Sequence, residues 1–305
     1  MGNNVSRIKS KILKAPRLPE YVQKESEEER FLNRYMSNDV SADDRLQMYH
    51  FVKRYIYDSN FSAPIEEKLI QGGYKVLDIA CGSGAWLLDL STRYDNSHFF
   101  GIDFQEVYPK EIKPPNLKFT KADILEGLPF PDNEFDFVRQ DSMSHVLQRN
   151  QWEFVLSEIV RVTKPGGYIE LAELNITFNG FGPILHRIYG GMRDFLLKQN
   201  VDINVTYELE SMLKSQPNVT MIHRDERELI IGPNGGKIGI VCHESFVMLC
   251  NTELAIENLS SEIGVSKEEF KNMIGTGLEE DLKVSRPELM SFRLWTQKKE
   301  KNVIV

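Results

Sequence analysis

The stretch KVLDIACGSGAWLLDL at positions 75–90 constrains the fold more than any other part of the chain. Val76, Leu77 and Ile79 predict a buried strand that carries the acid Asp78 near its end. The small residues Ala80, Cys81, Gly82, Ser83 and Gly84 predict a tight turn, and a helical pattern begins at Ala85. Glycines at a strand-to-helix turn let a ligand lie against bare backbone, with the helix N-terminus facing it. A dinucleotide fingerprint needs a third small residue after Gly82 and Gly84, and Leu87 stands in its place. The turn therefore suits a nucleoside ligand better than a pyrophosphate.

The pattern around this unit is one of alternating helices and strands. Apolar positions at helical spacing predict a helix over 43–57, whose aromatic stripe reads as core, and a short helix over 65–71 ending at Gly72-Gly73. The helix from Ala85 leads to strand two at 98–103, closed by Asp103. An acid roughly 20 residues past such a turn is placed to accept both hydroxyls of a ribose. Strand three is predicted at 117–121, before Asp123 and Ile124, and strand four at 135–138. A helix over 152–162 leads to strand five at 168–171. Such alternation means a parallel sheet covered on both faces, with ligands at the carboxyl ends of the strands. Asp78, Asp103 and Asp123 all fall at those ends.

Beyond strand five, the segment of about 180–215 reads as a helical insertion. The segments 219–231 and 237–248 read as the last two strands, joined as a hairpin by the Asn-Gly signal around Pro233-Asn234-Gly235-Gly236. Positions 254–290 are helical in pattern, and 291–295 return to the sheet or the pocket. The expected organisation is a leader over 1–30 and one domain over 31–305, with its ligand-binding core at 74–173.

Composition narrows the partners. The net charge is -8, from 37 basic and 45 acidic residues, which argues against a broad nucleic-acid footprint. Cys81, Cys242 and Cys250 form no C-x-x-C pair, so neither a metal site nor a disulfide framework is expected, and a reducing, cytoplasmic setting fits. No apolar run is long enough for a membrane span. The chain opens Met1-Gly2-Asn3-Asn4-Val5-Ser6, the N-myristoylation pattern, followed by Arg7, Lys9, Lys11, Lys14 and Arg17. One acyl chain anchors only marginally, and this basic flank is the second signal that membrane association through the N-terminus needs.

The series VLDIACGSG, FFGIDF, KADILEGLPFPDNEFDFV and RVTKPGGYIEL resembles the ordered motifs of class I S-adenosylmethionine (SAM)-dependent methyltransferases. It is most similar to the fungal small-molecule type, related to trans-aconitate methyltransferases and regulators of secondary metabolism. The resemblance is strong over 75–173 and weak on the flanks. It implies an α/β, Rossmann-like, doubly wound sheet of seven mostly parallel strands with an antiparallel last strand, carrying helical additions before strand one and after strand five. It further implies that Gly82 and Gly84 face the methionine part of SAM and that Asp78 organises its amino end. Asp103 would take the ribose hydroxyls, Phe104 the adenine face, Asp123 the adenine amino group and Ile124 the ring edge. Gln140 or Asp141 would border the transferring methyl.

Displacement at a sulfonium needs mainly alignment and exclusion of water, and a base only when the acceptor carries a proton. His145 after strand four is the candidate base, with Asp141 and Glu173 as further catalytic candidates. A D/N-P-P-Y tetrad for DNA amino-methylation is absent after strand four, where RQDSM stands, and there is no Pro-Cys nucleophile loop. The expected reaction is methyl transfer to a small molecule. An NAD-dependent oxidoreductase and a non-catalytic binding protein on the same fold are the alternatives.

Overall fold

The structure, a computed structural model, describes residues 40–300. Gly2, the basic leader and the acidic run that follows it lie outside the described residues. The elements run α1 (Val40–Tyr57), α2 (Glu66–Gln71), β1 (Lys75–Ile79), α3 (Ala85–Arg93), β2 (His98–Asp103), β3 (Leu117–Lys121), β4 (Phe135–Asp141), α4 (Trp152–Val162) and β5 (Thr163–Ile176). Then come α5 (Pro183–Lys198), α6 (Leu209–Ser215), β6 (His223–Ile230), α7 (Gly236–Cys250), α8 (Glu253–Glu262), α9 (Lys267–Asn272), α10 (Leu278–Val284) and β7 (Glu288–Gln297).

The strands form one seven-stranded sheet in the order β3-β2-β1-β4-β5-β7-β6. β1 to β5 run parallel, and β7 is antiparallel to both β5 and β6. The strand order reverses between β1 and β4, and at such a switch point the carboxyl ends of neighbouring strands open a crevice. Apolar layers cover both faces. Leu77, Ile79, Val138 and Ile169 pack toward α4 with Trp152 and Ile159, while Val76, Phe99 and Phe137 pack toward α3 with Leu87 and Leu90. Each fully buried side chain of this size contributes about 1.5–3 kcal/mol.

The segment 237–248 is the main departure from the sequence reading: it is a helix, not a strand, and no hairpin joins it to β6. Its β-branched residues suggested a strand, but the buried positions Cys242, Phe246, Leu249 and Cys250 recur at helical spacing. They belong to a second core with Val52 of α1 and with Ile188, Tyr189 and Met192 of α5. Phe246 stacks on Tyr189 with ring centroids 4.7 Å apart. The Asn-Gly signal marks a short 3-10 turn, Pro233–Gly235, that reverses the chain into this helix. A side chain at Gly239 would sit 2.3 Å from the Gly232 carbonyl oxygen, so helix and turn approach closely. The antiparallel strand is instead β7, inserted between β5 and β6.

The aromatic stripe of α1 divides. Val52 and Tyr57 are buried, but Phe51 and Tyr55 are exposed. The helix lies across the carboxyl ends of the strands, so part of its surface faces a cavity and part faces solvent.

Candidate active site

The turn after β1 takes an unusual backbone path: Ala80, Gly82 and Gly84 all have positive φ, at 55°, 54° and 74°. At Gly84 glycine is required twice over, since a Cβ there would also lie 2.4 Å from the Phe119 ring. The Gly82 N–H donates to Asp103 at the end of β2 (2.8 Å), and the other oxygen of that carboxylate accepts from the Gln105 N–H (2.8 Å). Asp103 thus ties the turn to the neighbouring strand.

Sheet register builds the charged floor beside this turn. Asp78 on β1 lies opposite Arg139 on β4, which lies opposite Glu170 on β5. The three alternate in sign across one face. Arg139 donates to Asp78 (3.0 Å) and also to Asp141, and its guanidinium lies 4.5 Å from the centre of the Trp86 ring. Lys53 of α1 donates to Asp141 and to the Ser142 hydroxyl (2.8 Å). Glu170 accepts the N–H groups of Ser62 (2.7 Å) and Ala63 (2.9 Å), fixing the segment after α1 to the sheet.

The two acids at the crevice are held differently. Burial pushes Asp78 up to about 6, against the Arg139 guanidinium. Asp141 is buried as well, yet Lys53 and Arg139 together hold it well below the ordinary carboxylate range. Asp78 is therefore a carboxyl whose ionised form lacks sufficient compensating charge, and a cation beside it would be stabilising.

A cavity of about 180 Å³ opens from this floor. Its polar end is lined by Asp78, Gly82, Arg139, Asp141 and His145, and its far end by Tyr49, Leu174, Tyr189, Met192, Phe246 and Leu289. One wall is α1, another comes from α5 and α7, and the floor is the sheet. Burial, with help from Lys53, lowers His145 to about 4, so its ring is neutral near neutral pH.

Of the residues singled out in the sequence, Asp78, Gly82, Asp141 and His145 line this cavity. Gly84, Asp103, Phe104, Asp123 and Ile124 lie along the same strand ends but outside its lining. Asp123 caps the 3-10 turn Ile124–Glu126 through the Leu125 N–H (2.9 Å). Gln140 points away from Arg139, as strand alternation requires; it is buried and neither of its amide atoms has a partner among the described residues. Glu173 is also buried, accepting from the Met143 N–H (2.7 Å) and the Ser144 hydroxyl (2.7 Å). Cys81 is a free thiol that burial raises well above its ordinary value, as suits a packing residue.

Sequence reasoning missed Lys53, Arg139 and Glu170. The signal was present for Arg139, a cation that follows the apolar pair Phe137-Val138 within a central strand. Lys53 carries no such mark, because a lysine on a mixed helix is ordinary until the helix is placed.

Residues 76–167 match a family model described as a methyltransferase domain. The chain is 25% identical to the methyltransferase str3 of Strobilurus tenacellus over 163 residues, which cover 52% of this chain and 58% of that protein. It is 28% identical to the N-methyltransferase verN of Clonostachys rogersoniana over 163 residues, covering 50% of this chain and 56% of that one. The chain therefore spans little more than half the length of these relatives. A solved Anabaena variabilis protein, described as a methyltransferase from an antibiotic biosynthesis pathway, superposes with a TM-score of 0.50 at 13% identity, covering 83% of this chain and 99% of that chain. That last likeness is one of fold.

Proposed function

We propose that this chain, which carries a class I SAM-dependent methyltransferase domain, transfers the sulfonium methyl of SAM to a small-molecule acceptor. The observation that carries this reading is the pairing of a buried, undercompensated Asp78 with the Gly82–Gly84 turn at the mouth of an aromatic-walled cavity.

The residues present fit the cofactor's chemistry. SAM when bound supplies an activated methyl on a sulfonium, next to an ammonium group and a carboxylate. Asp78 would face the cationic end, and the cavity's Arg45 and Arg54 are the cations nearest in kind to what its carboxylate needs. Asp103 retains lone pairs beyond those used by Gly82 and Gln105, which suit a ribose diol. Phe104, Asp123 and Ile124 are the groups for the adenine end, and Gln140, at the end of β4, is the one for the transferring methyl.

Acceptor choice falls to α1, α5 and α7. Tyr49, Tyr189, Met192, Phe246 and Leu289 offer an apolar body-sized space, and the lid that these helices form over the crevice excludes water. His145 is the base for an acceptor that carries a proton, and Asp141, pinned between Lys53 and Arg139, positions the floor rather than moving a proton. The helical cover and the sheet act as one domain.

Among the described residues no helix is long and apolar enough to cross a membrane. Gly2 with its basic flank is the site at which an acyl chain would give peripheral membrane contact, and an intact mass of native protein without an acyl addition would refute that.

Calorimetric titration with S-adenosylhomocysteine tests the central reading, with NADH as control. Micromolar binding of the first and none of the second is expected. Binding of NADH alone would support a dinucleotide oxidoreductase instead, and binding of neither would remove the cofactor site.

A further inference from the structure

His145 reaches the cavity from the loop after β4, and its Nδ1 lies 3.2 Å from the Ser144 hydroxyl oxygen. That same hydroxyl lies 2.7 Å from Glu173 Oε2. Glu173 Oε1 accepts from the backbone N–H groups of Met143 (2.7 Å) and Ser144 (3.2 Å), so the carboxyl is fixed in place. Both Ser144 and Glu173 are almost fully buried, at 0% and 3% exposure, which leaves little water to substitute for either partner.

Resting on the methyltransferase reading, we infer that Glu173 and Ser144 are positioning residues that set the tautomer of His145, making it a base toward the cavity only while Glu173 is ionised. The reasoning is one of donors and acceptors. A serine hydroxyl has a single proton. When Glu173 is a carboxylate, that proton must point to Oε2, so the hydroxyl can only accept from His145, and the ring carries its proton on Nδ1. Nε2 is then bare, on a ring that lines the cavity. When Glu173 is a carboxylic acid, its O–H donates to Ser144, the hydroxyl donates to Nδ1, and the ring proton sits on Nε2.

The two arrangements differ by one proton, and the relay connects them. A proton taken from the acceptor bonds to Nε2; the Nδ1 proton passes to the Ser144 oxygen, and the Ser144 proton passes to Glu173 Oε2. The ring ends neutral and Glu173 ends protonated, so atoms and charge balance without any further reactant. The acceptor atom that loses the proton gains the electron pair that attacks the methyl.

The electrostatics run in the same direction. Burial raises Glu173 to about 7, with Asp141 of β4 adding to the rise and Lys53 of α1 and the Ser144 and Met143 hydrogen bonds opposing it. His145 is lowered to about 4 by burial and by Lys53. The proton therefore rests more readily on Glu173 than on an imidazolium, which explains how a ring so hard to protonate can still accept a proton in the reaction.

The test reads the tautomer directly and needs no acceptor. The full chain, labelled with 15N-histidine and saturated with S-adenosylhomocysteine, is followed by long-range 1H–15N NMR from pH 5.5 to 8.5. His145 is assigned by the signals lost in His145→Asn or, if that variant does not fold, by those that Ser144→Ala and Glu173→Gln both alter. The expected result is protonated Nδ1 at high pH, protonated Nε2 at low pH, and a midpoint near 7. In Glu173→Gln the amide would donate to Ser144 permanently, so the ring should hold its proton on Nε2 at every pH. In Ser144→Ala the midpoint should vanish. A protonated Nε2 in the wild type at pH 8.5, a tautomer that does not change with pH, or a Glu173→Gln spectrum like the wild type would overturn the relay. Calorimetric binding of S-adenosylhomocysteine is read separately, and the same spectra are recorded without it. A failed relay thus leaves the cofactor reading standing, and failed cofactor binding leaves the tautomer readable.

Discussion

Lys53, on the helix that precedes the sheet, donates to Asp141 at the carboxyl end of β4. That contact ties the cover of the cavity to its charged floor, since Asp141 also accepts from Arg139, which in turn holds Asp78. Lys53 and Asp141 are both mostly buried, so the bond is little screened by solvent.

Removing Lys53 should loosen the cover. Breaking a buried ion pair by deleting one partner costs about 3–5 kcal/mol, and the remaining Arg139 partner should reduce this to about 2 kcal/mol for Lys53→Met. Chemical denaturation reads the loss. S-adenosylhomocysteine affinity should fall as well, and an unchanged affinity would show that α1 does not contribute to the cofactor site.

Asp78→Asn should weaken SAM and S-adenosylhomocysteine to a similar degree, because both carry the ammonium group at the amino end that Asp78 would face. Loss of a charged partner is worth about 1.5–3 kcal/mol, or about 10- to 100-fold in affinity. The wild-type affinity for SAM should also depend on pH. Only ionised Asp78 favours a cation, and the free protein holds this acid at about 6. Affinity should therefore rise with pH up to about 6 and level off above it. An unchanged affinity for both ligands, or a flat profile, would separate Asp78 from the amino end.

Gly84→Ala introduces a side chain at φ 74° and 2.4 Å from Phe119. The left-handed backbone alone costs about 1–2 kcal/mol, and the clash adds to it. Combining Gly84→Ala with Phe119→Leu should recover the clash but not the backbone cost. If the double variant is fully additive in thermal melts, the contact with Phe119 is not what the glycine serves.

Two lysine substitutions distinguish helix from strand over 236–250. Ile240 is exposed and Cys242 buried, an arrangement natural to a helix but not to a strand, where the two would share a face. Ile240→Lys should change stability by no more than about 0.5 kcal/mol. Cys242→Lys should unfold the second core or cost several kcal/mol, on the order of an unpaired buried charge. Equal tolerance of both would contradict the helix.

The cofactor half of the molecule was readable because its signals are local. The apolar run 76–79, the glycine turn and the acids at strand ends each demand a particular backbone within a few residues, and β1, α3, β2 and β4 lie where the pattern placed them. The region after β6 was misread because β-branched residues and an Asn-Gly pair suit either a hairpin or a turn into a helix. What decided it was a distant surface, the faces of α1 and α5 against which Cys242 and Phe246 are buried.

The chain's own order of residues determined the parallel part of the sheet and the glycine turn, since short-range sterics and period-2 and helical spacing suffice for those. Only the tertiary structure decided which charges meet. The register of β1, β4 and β5 brings Asp78, Arg139 and Glu170 side by side, and the return of α1 over the strand ends brings Lys53 to Asp141. No spacing announces such pairs, because partners 61 and 88 positions apart are joined only when the backbone closes around a shared core.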